Sequence, residues 1–538
     1  MASYDYIIVG AGSAGCVLAG RLSENREVSV LLLEAGGPDT HREIRIPAAF
    51  SKLFKSKADW NYTTEAQTNL HGRQLYWPRG KVIGGSSSIN AMIYIRGNRR
   101  DYDDWERLGN PGWGYRDVLP YFKKAEDQQH GASEFHGVGG PLRVEDLRTV
   151  NPLSSAFVDA AGEVGIPGND DFNGREQEGA GCYQVTQKRG RRWSAADAYL
   201  RPARSRANLT VLPHAHVTQI LLANNRATGI EYVRDGREHS VQAEREVLLC
   251  GGAINSPQML LLSGIGPARE LAELGVEVAL DLPGVGANLQ DHMFLPVAYK
   301  CKRPITLAKA ETLLSFLNYA VFRRGMLTSC IAEAGAFLRT RPDADRPNLQ
   351  YHFGPVYYLN HGFDCPPGHG FSIGPTLIRA ESRGRIRLRT TFPMDPPIIE
   401  PNYLSHDSDV ETFVAGIELA RRIAAAHAFD EFRGDEYLPG EDVQSRGEIA
   451  GYVRGAAETT YHPAGTCKMG SDAMAVVDSH LRVRGVEKLR VVDASVMPAV
   501  TSGNTNAPVI MIAEKAADMI RRDDRMRSIP AGVTASIV

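Results

Sequence analysis

The sequence predicts an α/β fold of at least two domains that opens on a Rossmann-like βαβ unit. Three observations predict it. The chain has 538 residues, beyond the ~250–300 at which a single hydrophobic core stops growing. Hydrophobic residues make up 43% and charged residues 23%, a mix that excludes a disordered chain or a collagen-like fibre. The N-terminal segment reads strand, glycine turn, helix, strand.

Residues 4–9 (YDYIIV) are a short run of β-formers. Gly10, Gly12 and Gly15 follow, then the helical series Cys16, Val17, Leu18, Ala19 and Leu22, then a buried strand at 28–33. Gly10 permits a tight turn, Gly12 lets a pyrophosphate approach the backbone, and Gly15 lets helix and strand pack closely. The free N–H groups of the helix then face the phosphates. Glu34 ends the second strand nineteen residues after Gly15, the spacing at which a carboxylate reaches a ribose hydroxyl. Alone, Glu34 reads equally as a surface acid at a strand end. With strand, glycines and helix in register, the pattern predicts a bound dinucleotide. It does not separate NAD from FAD. The segments 264–269 and 284–289 both lack the third glycine of a second such motif. The cofactor is therefore either NAD alone or a flavin reduced directly by substrate.

Glycine-dense stretches recur at 79–90 (RGKVIGGSSSIN) and 251–266. Residues 208–234 alternate as strands around a turn at Asn224 and Asn225, and 246–250 reads as a further strand. The 301–335 segment, with Leu313, Phe316, Leu317, Tyr319, Phe322, Met326 and Leu327, reads as an amphipathic helix that packs into the second domain; membrane contact is the sharper reading. Tyr351, Phe353, Tyr357 and Tyr358 read as a half-buried strand bordering a pocket. Arg383, Arg385, Arg387 and Arg389 alternate, which puts them on one face of an edge strand. A helix at 407–427, a strand at 489–493 and a helix at 507–522 close the chain.

Lys+Arg number 61 and Asp+Glu 63, so no global field favours nucleic acid, and no nucleic-acid partner is expected. The seven cysteines form no C-x-x-C pair, which reads as free thiols in a reducing compartment and no metal site. The N-terminus reads as the first strand of the fold rather than a signal peptide. A cytoplasmic protein is expected, with peripheral attachment to the inner membrane left open.

Four segments carry a resemblance: WPRGKVIGGSSSINAMIYIRGNRR at 77–100, GGAINSPQMLLLSGI at 251–265, YHPAGTCKMG at 461–470, and VVDASVMPAVTSGNTNAPVIMIAEKAAD at 491–518. Together they resemble the glucose–methanol–choline (GMC) oxidoreductase family over nearly the whole chain, in wording most similar to bacterial FAD-dependent alcohol dehydrogenases. The resemblance implies FAD. It implies a discontinuous FAD-binding domain from 1–155, 205–300 and 455–538. It also implies an α+β substrate-binding domain from 301–454 with a contribution from 156–204, containing an antiparallel sheet.

Carried onto this sequence, the family pattern places Ser13, Ala14, Glu34 and Ala35 on the ADP part. Val82 to Ile93 would line the flavin, with Asn90, Ala91, Met92 and Ile93 nearest. Val217 would pair with adenine. Asp493 and Ala494 would reach the pyrophosphate region, and Asn506, Pro508 and Val509 the flavin's pyrimidine edge. Family members that attach FAD covalently do so through a histidine where this chain has Ile89, so a non-covalent flavin is expected.

Alcohol oxidation needs a base for the hydroxyl proton while the flavin takes the hydride from the same carbon. The resemblance makes His462 that base and Asn506 the amide orienting the substrate oxygen. His292 is a weaker candidate, read as structural or near the flavin, and Cys467 reads as a packed thiol. The implied reaction is oxidation of a primary alcohol to an aldehyde, with a quinone or other non-O2 acceptor. An O2-using oxidase, a choline or polyol dehydrogenase and a hydroxynitrile-lyase-type flavoprotein remain alternatives. The sequence leaves the alcohol and the oligomeric state open.

Overall fold

The computed structural model describes residues 2–528. Strand β1 (Ser3–Val9), helix α1 (Ser13–Leu22) and strand β2 (Val30–Leu33) form the βαβ unit. The two strands lie parallel, with Tyr6 opposite Val30 and Val9 opposite Leu33. The end of β1 and all of β2 are buried. A parallel strand covered on both faces needs no polar alternation, which is why both read as unbroken apolar runs.

The sheet extends from β2 to Leu209–Leu212 and from β1 to Arg237–Leu249, which in turn pairs with Leu489–Val491; all four pairings are parallel. The beginning of Arg237–Leu249 pairs antiparallel with Arg226–Arg234, itself paired with His216–Ala223. Asn224 and Asn225 both take positive φ in the connecting turn, the conformation a two-residue hairpin requires and asparagine tolerates. One long strand thus joins the parallel sheet to a meander.

The second sheet is wholly antiparallel. Its order is Arg433–Leu438, Ala298–Cys301, Gly370–Leu377, Leu349–Gly354, Ala334–Leu338, Gly179–Cys182. Met293–Phe294 pairs with Gly370–Leu377 on one side and with Glu458–Thr459 on the other. The expected join at 300/301 therefore falls inside this sheet, because the chain enters it at Met293. The helices Pro152–Glu163 and Asp407–Ala425 bury Phe157, Phe413 and Ile417 together with Tyr351 and Phe353 of the sheet. The expected arginine strand is short, Arg385–Arg387, and its guanidinium groups pair with Glu400 while Arg389 pairs with Glu65. That is an ion-paired outer face.

One expectation for the second domain fails. The 301–335 helix spans only Leu313–Phe322, and Tyr319 is its one buried residue. It lies on the protein rather than packing into it.

The two N-terminal glycine stretches lie against each other. A Cβ on Gly85 (φ +52°) would sit 2.6 Å from Gly12 Cα, and one on Gly15 would sit 1.9 Å from the Gly10 carbonyl oxygen. The Gly84 N–H donates to the Ala11 carbonyl at 2.7 Å. The C-terminal helix Asn506–Ser528 packs on α1, where Arg21 and the Tyr199 hydroxyl both meet Glu514.

Candidate active site

A long cavity runs from the carboxyl ends of β1 and β2 to the antiparallel sheet. At the first end lie Leu33, Glu34, Ala35, His216 and Val217. Glu34 accepts N–H bonds from Ala11 at 2.9 Å and Gly36 at 2.8 Å. Burial pushes its carboxyl up to about 7, against these two donors. A further donor from the cavity would hold it ionised.

Gly10, Gly12, Ser13 and Ala14 line the next stretch. No side chain caps α1 at Gly12, so its first N–H groups have no partner within the helix. A Cβ on Gly12 would meet nothing closer than the Cys250 carbonyl oxygen at 4.0 Å, which leaves room for a group to rest on the backbone. Asp493 lies opposite, taking the Ser256 hydroxyl at 2.6 Å and the Gly252 N–H at 2.9 Å. An uncapped helix N-terminus, an open glycine and a buried strand-end carboxylate fit the pyrophosphate and ribose of a dinucleotide.

His462 stands at the far end, where the strand pair Met293–Phe294 and Glu458–Thr459 sets it. Asp291 accepts the His462 backbone N–H at 2.7 Å and the Thr459 hydroxyl at 2.6 Å, and also takes the Tyr403 hydroxyl. His462 Nδ1 lies 3.0 Å from His292 Nδ1, with the rings edge to face. Its Nε2 lies 3.3 Å from Asn504 Nδ2.

The network fixes the tautomer. Burial, then His292, His352 and Arg79, hold His462 well below the ordinary imidazole range. Burial and His352 hold His292 down at about 3. Both rings are neutral at pH 7, so one Nδ1 must donate to the other. Gln350 donates to Asn504 Oδ1 at 3.3 Å, which turns the Asn504 amide nitrogen toward His462. His462 Nε2 therefore accepts, and its Nδ1–H donates to His292. The Nε2 lone pair is directed at the Asn504 amide in the cavity wall, where a substrate hydroxyl would take that donor's place.

Phe50, Phe54, Phe294, Ile331, Tyr358 and Tyr461 wall this end. Tyr461 takes positive φ (70°) immediately before the histidine. Its hydroxyl meets Tyr358 at 3.0 Å and His361 Nδ1 at 2.7 Å. Arg79 lines the cavity as well and donates to the Tyr461 carbonyl at 2.6 Å.

The GMC oxidoreductase family models match residues 4–294 and 380–513. The chain belongs to the GMC oxidoreductase family. It is an FAD-dependent flavoenzyme, an oxidoreductase acting on alcohols. It is 47% identical to an alcohol dehydrogenase [acceptor] of Pseudomonas putida, over 98% of each chain. It is 48% identical to a mitochondrial choline dehydrogenase of Homo sapiens, over 96% of this chain and 90% of that one. Its fold matches the crystal structure of pyridoxine 4-oxidase from Mesorbium loti with a TM-score of 0.90 and 35% identity, covering 97% and 99% of the two chains.

In this GMC oxidoreductase most of the expected cofactor residues line one cavity: Gly10, Gly12, Ser13, Ala14, Glu34, Ala35, Asn90, Ala91, Met92, Ile93, Val217, Asp493, Ala494 and Val509. Three do not. Gly15 packs under the turn. Val82 is buried behind the loop, where its carbonyl takes the Gly85 N–H. Pro508 is buried in the first turn of the C-terminal helix.

The structure does not bring the Asn506 side chain to His462. Asn506 lines the cavity, but its Oδ1 takes the Ser13 hydroxyl at 2.7 Å. The asparagine that reaches His462 is Asn504. The sequence gives no sign of Gln350 or Arg79 near His462, and His292, expected to be structural or near the flavin, lies 3.0 Å from it. The NLQDH wording around His292 was the one available signal.

Proposed function

We propose that this GMC oxidoreductase oxidises neutral primary alcohols to aldehydes and passes the electrons to a non-O2 acceptor such as a quinone. The observation that carries the reading is the pairing of His462 Nε2 with the Asn504 amide at 3.3 Å, both lining an aromatic-walled chamber. FAD, when bound, supplies the hydride acceptor. The alcohol loses its hydroxyl proton to His462 Nε2 and a hydride from the same carbon, leaving the aldehyde. Asn504 donates to the substrate oxygen as negative charge develops there. Phe54, Phe294 and Tyr358 exclude water and receive the alkyl chain. Ile89 lines the cavity and offers no nucleophile, so the flavin is held without a covalent bond. The acceptor class follows the Pseudomonas putida relative, named for an acceptor.

Charge separates a neutral alcohol from choline. Glu34 and Asp493 are the carboxylate residues among the described lining, and both sit toward the cofactor end. Near His462 the charged side chain that lines the cavity is Arg79, a cation, while Asp291 lies behind the histidine and outside the lining. Aromatic faces alone attract a trimethylammonium group, but a neighbouring guanidinium repels it.

The test is anaerobic mixing of the holoenzyme with 1-butanol, 1-octanol and choline, following flavin absorbance near ~450 nm. Both alcohols should bleach the flavin, and choline should be slower by on the order of tenfold or more. Faster bleaching by choline would overturn the substrate assignment. Admitting air should leave the bleached flavin slow to recover, and adding a soluble quinone should restore it. Arg79→Gln should raise kcat/KM for choline relative to 1-butanol by on the order of tenfold. An unchanged ratio would remove Arg79 from the selection of charge.

A further inference from the structure

The helix Leu313–Phe322 turns its apolar side outward. Leu313, Leu314, Val321 and Phe322 are 72%, 80%, 67% and 65% exposed. Leu313, Leu317 and Val321, spaced four apart, form one stripe on the side away from Tyr319, which alone is buried. Tyr319 holds the helix down, packing with Ile46, Ala49 and Leu327 and donating its hydroxyl to the Arg45 carbonyl at 3.0 Å. A contiguous apolar stripe on a surface helix marks a contact with something else.

The surroundings identify what. The helix carries no acidic side chain. Arg42 lies 5.3 Å over the Phe316 ring, and Arg323 lies 4.8 Å over Tyr319. The hairpin turn at Gly190, flanked by Arg189 and Arg191, packs against the Arg323 carbonyl. Arg42, Arg189, Arg191, Arg323 and Arg324 make no ion pair with another described residue. The nearest acid in sequence, Glu311, is paired with Lys52 at 2.7 Å.

We infer that the Leu313–Phe322 helix and its arginine rim dock this protein on the surface of an anionic lipid bilayer. Leucine, valine and phenylalanine enter the acyl boundary while unpaired arginines meet the headgroups. Among the described residues no helix is long and apolar enough to cross a membrane, so the attachment is interfacial. It also bears on the chemistry. The chain leaving the helix turns through Met326–Thr328 and forms the cavity wall at Cys330, Ile331 and Ala332, and the underlying turn Pro47–Leu53 contributes Phe50. A docked enzyme would hold one wall of its substrate chamber a single layer from the lipid, where hydrophobic alcohols concentrate.

The test uses the FAD-loaded enzyme, co-sedimented with vesicles of phosphatidylcholine alone or mixed with phosphatidylglycerol. The enzyme should pellet with the mixed vesicles and far less with the neutral ones. The triple variant Leu314→Ser, Val321→Ser, Phe322→Ser changes exposed side chains only. It should lose at least tenfold in vesicle affinity while reducing its flavin with 1-butanol at the parent rate. Replacing Arg323 and Arg324 by Gln should cost about fivefold for each charge removed, and added salt should mimic it. Failure to pellet, or pelleting unaffected by the triple variant, would overturn the inference. So would light scattering that shows a dimer which the triple variant dissolves without any vesicle binding, because the stripe would then be covered by a second copy of the chain.

Discussion

His462→Ala is expected to slow reduction of the bound flavin by 1-butanol by at least on the order of 10²–10⁴-fold, while FAD stays bound and the visible spectrum persists. The histidine contributes no side-chain bond to the glycine turn or to Glu34, so its loss removes a proton acceptor and not the cofactor site. Rapid anaerobic mixing measures the rate, and the flavin-to-protein absorbance ratio measures retention. A variant that is still reduced at the parent rate would sink the base assignment. The pH profile gives a second check. Only the neutral imidazole accepts a proton, and burial together with His292, His352 and Arg79 holds His462 below its ordinary range. The reduction rate should therefore be level from about pH 7 upward and fall only on the acid side of ~6.5.

What the sequence disclosed was what local chain geometry dictates. Gly10, Gly12, Gly15 and Glu34 lie within one βαβ unit, where spacing along the chain is spacing in the fold. The hairpin at Asn224 and Asn225 was legible for the same reason. The His462 network was not, because it is assembled by strand pairing. Asp291 and His292 reach His462 only through Met293–Phe294 lying beside Glu458–Thr459, and Gln350 arrives from a third strand. The 313–322 helix shows a different limit. Its apolar periodicity predicted a helix within 301–335, of which only Leu313–Phe322 forms one, and periodicity does not say whether the stripe faces the core or the solvent. That depends on Tyr319 finding a pocket between Ile46 and Ala49 while its neighbours find none.

The two asparagines of SGNTNAP pose the sharpest case. They stand two residues apart in a turn-forming stretch, and either satisfies a motif read by eye. The start of the C-terminal helix decides between them. Asn506 is its first residue, so its side chain is drawn toward the neighbouring helix N-terminus and the Ser13 hydroxyl. Asn504 precedes the helix and projects across the cavity to His462. The two substitutions should therefore separate cleanly. Asn504→Ala should slow flavin reduction by about 10²-fold with FAD retained, because an aimed donor to the developing alkoxide is gone. Asn506→Ala removes one hydrogen bond between α1 and the C-terminal helix, worth ~1 kcal/mol. It should leave the reduction rate within severalfold and instead lower the temperature at which FAD fluorescence is released. Reversed outcomes would return the orienting amide to Asn506 and make the Asn504–His462 contact a packing feature. A rate loss of similar size in both would mean that the Ser13–Asn506 bond positions the loop bearing Asn504, which rescue by Asn506→Asp, keeping the acceptor for Ser13, would reveal.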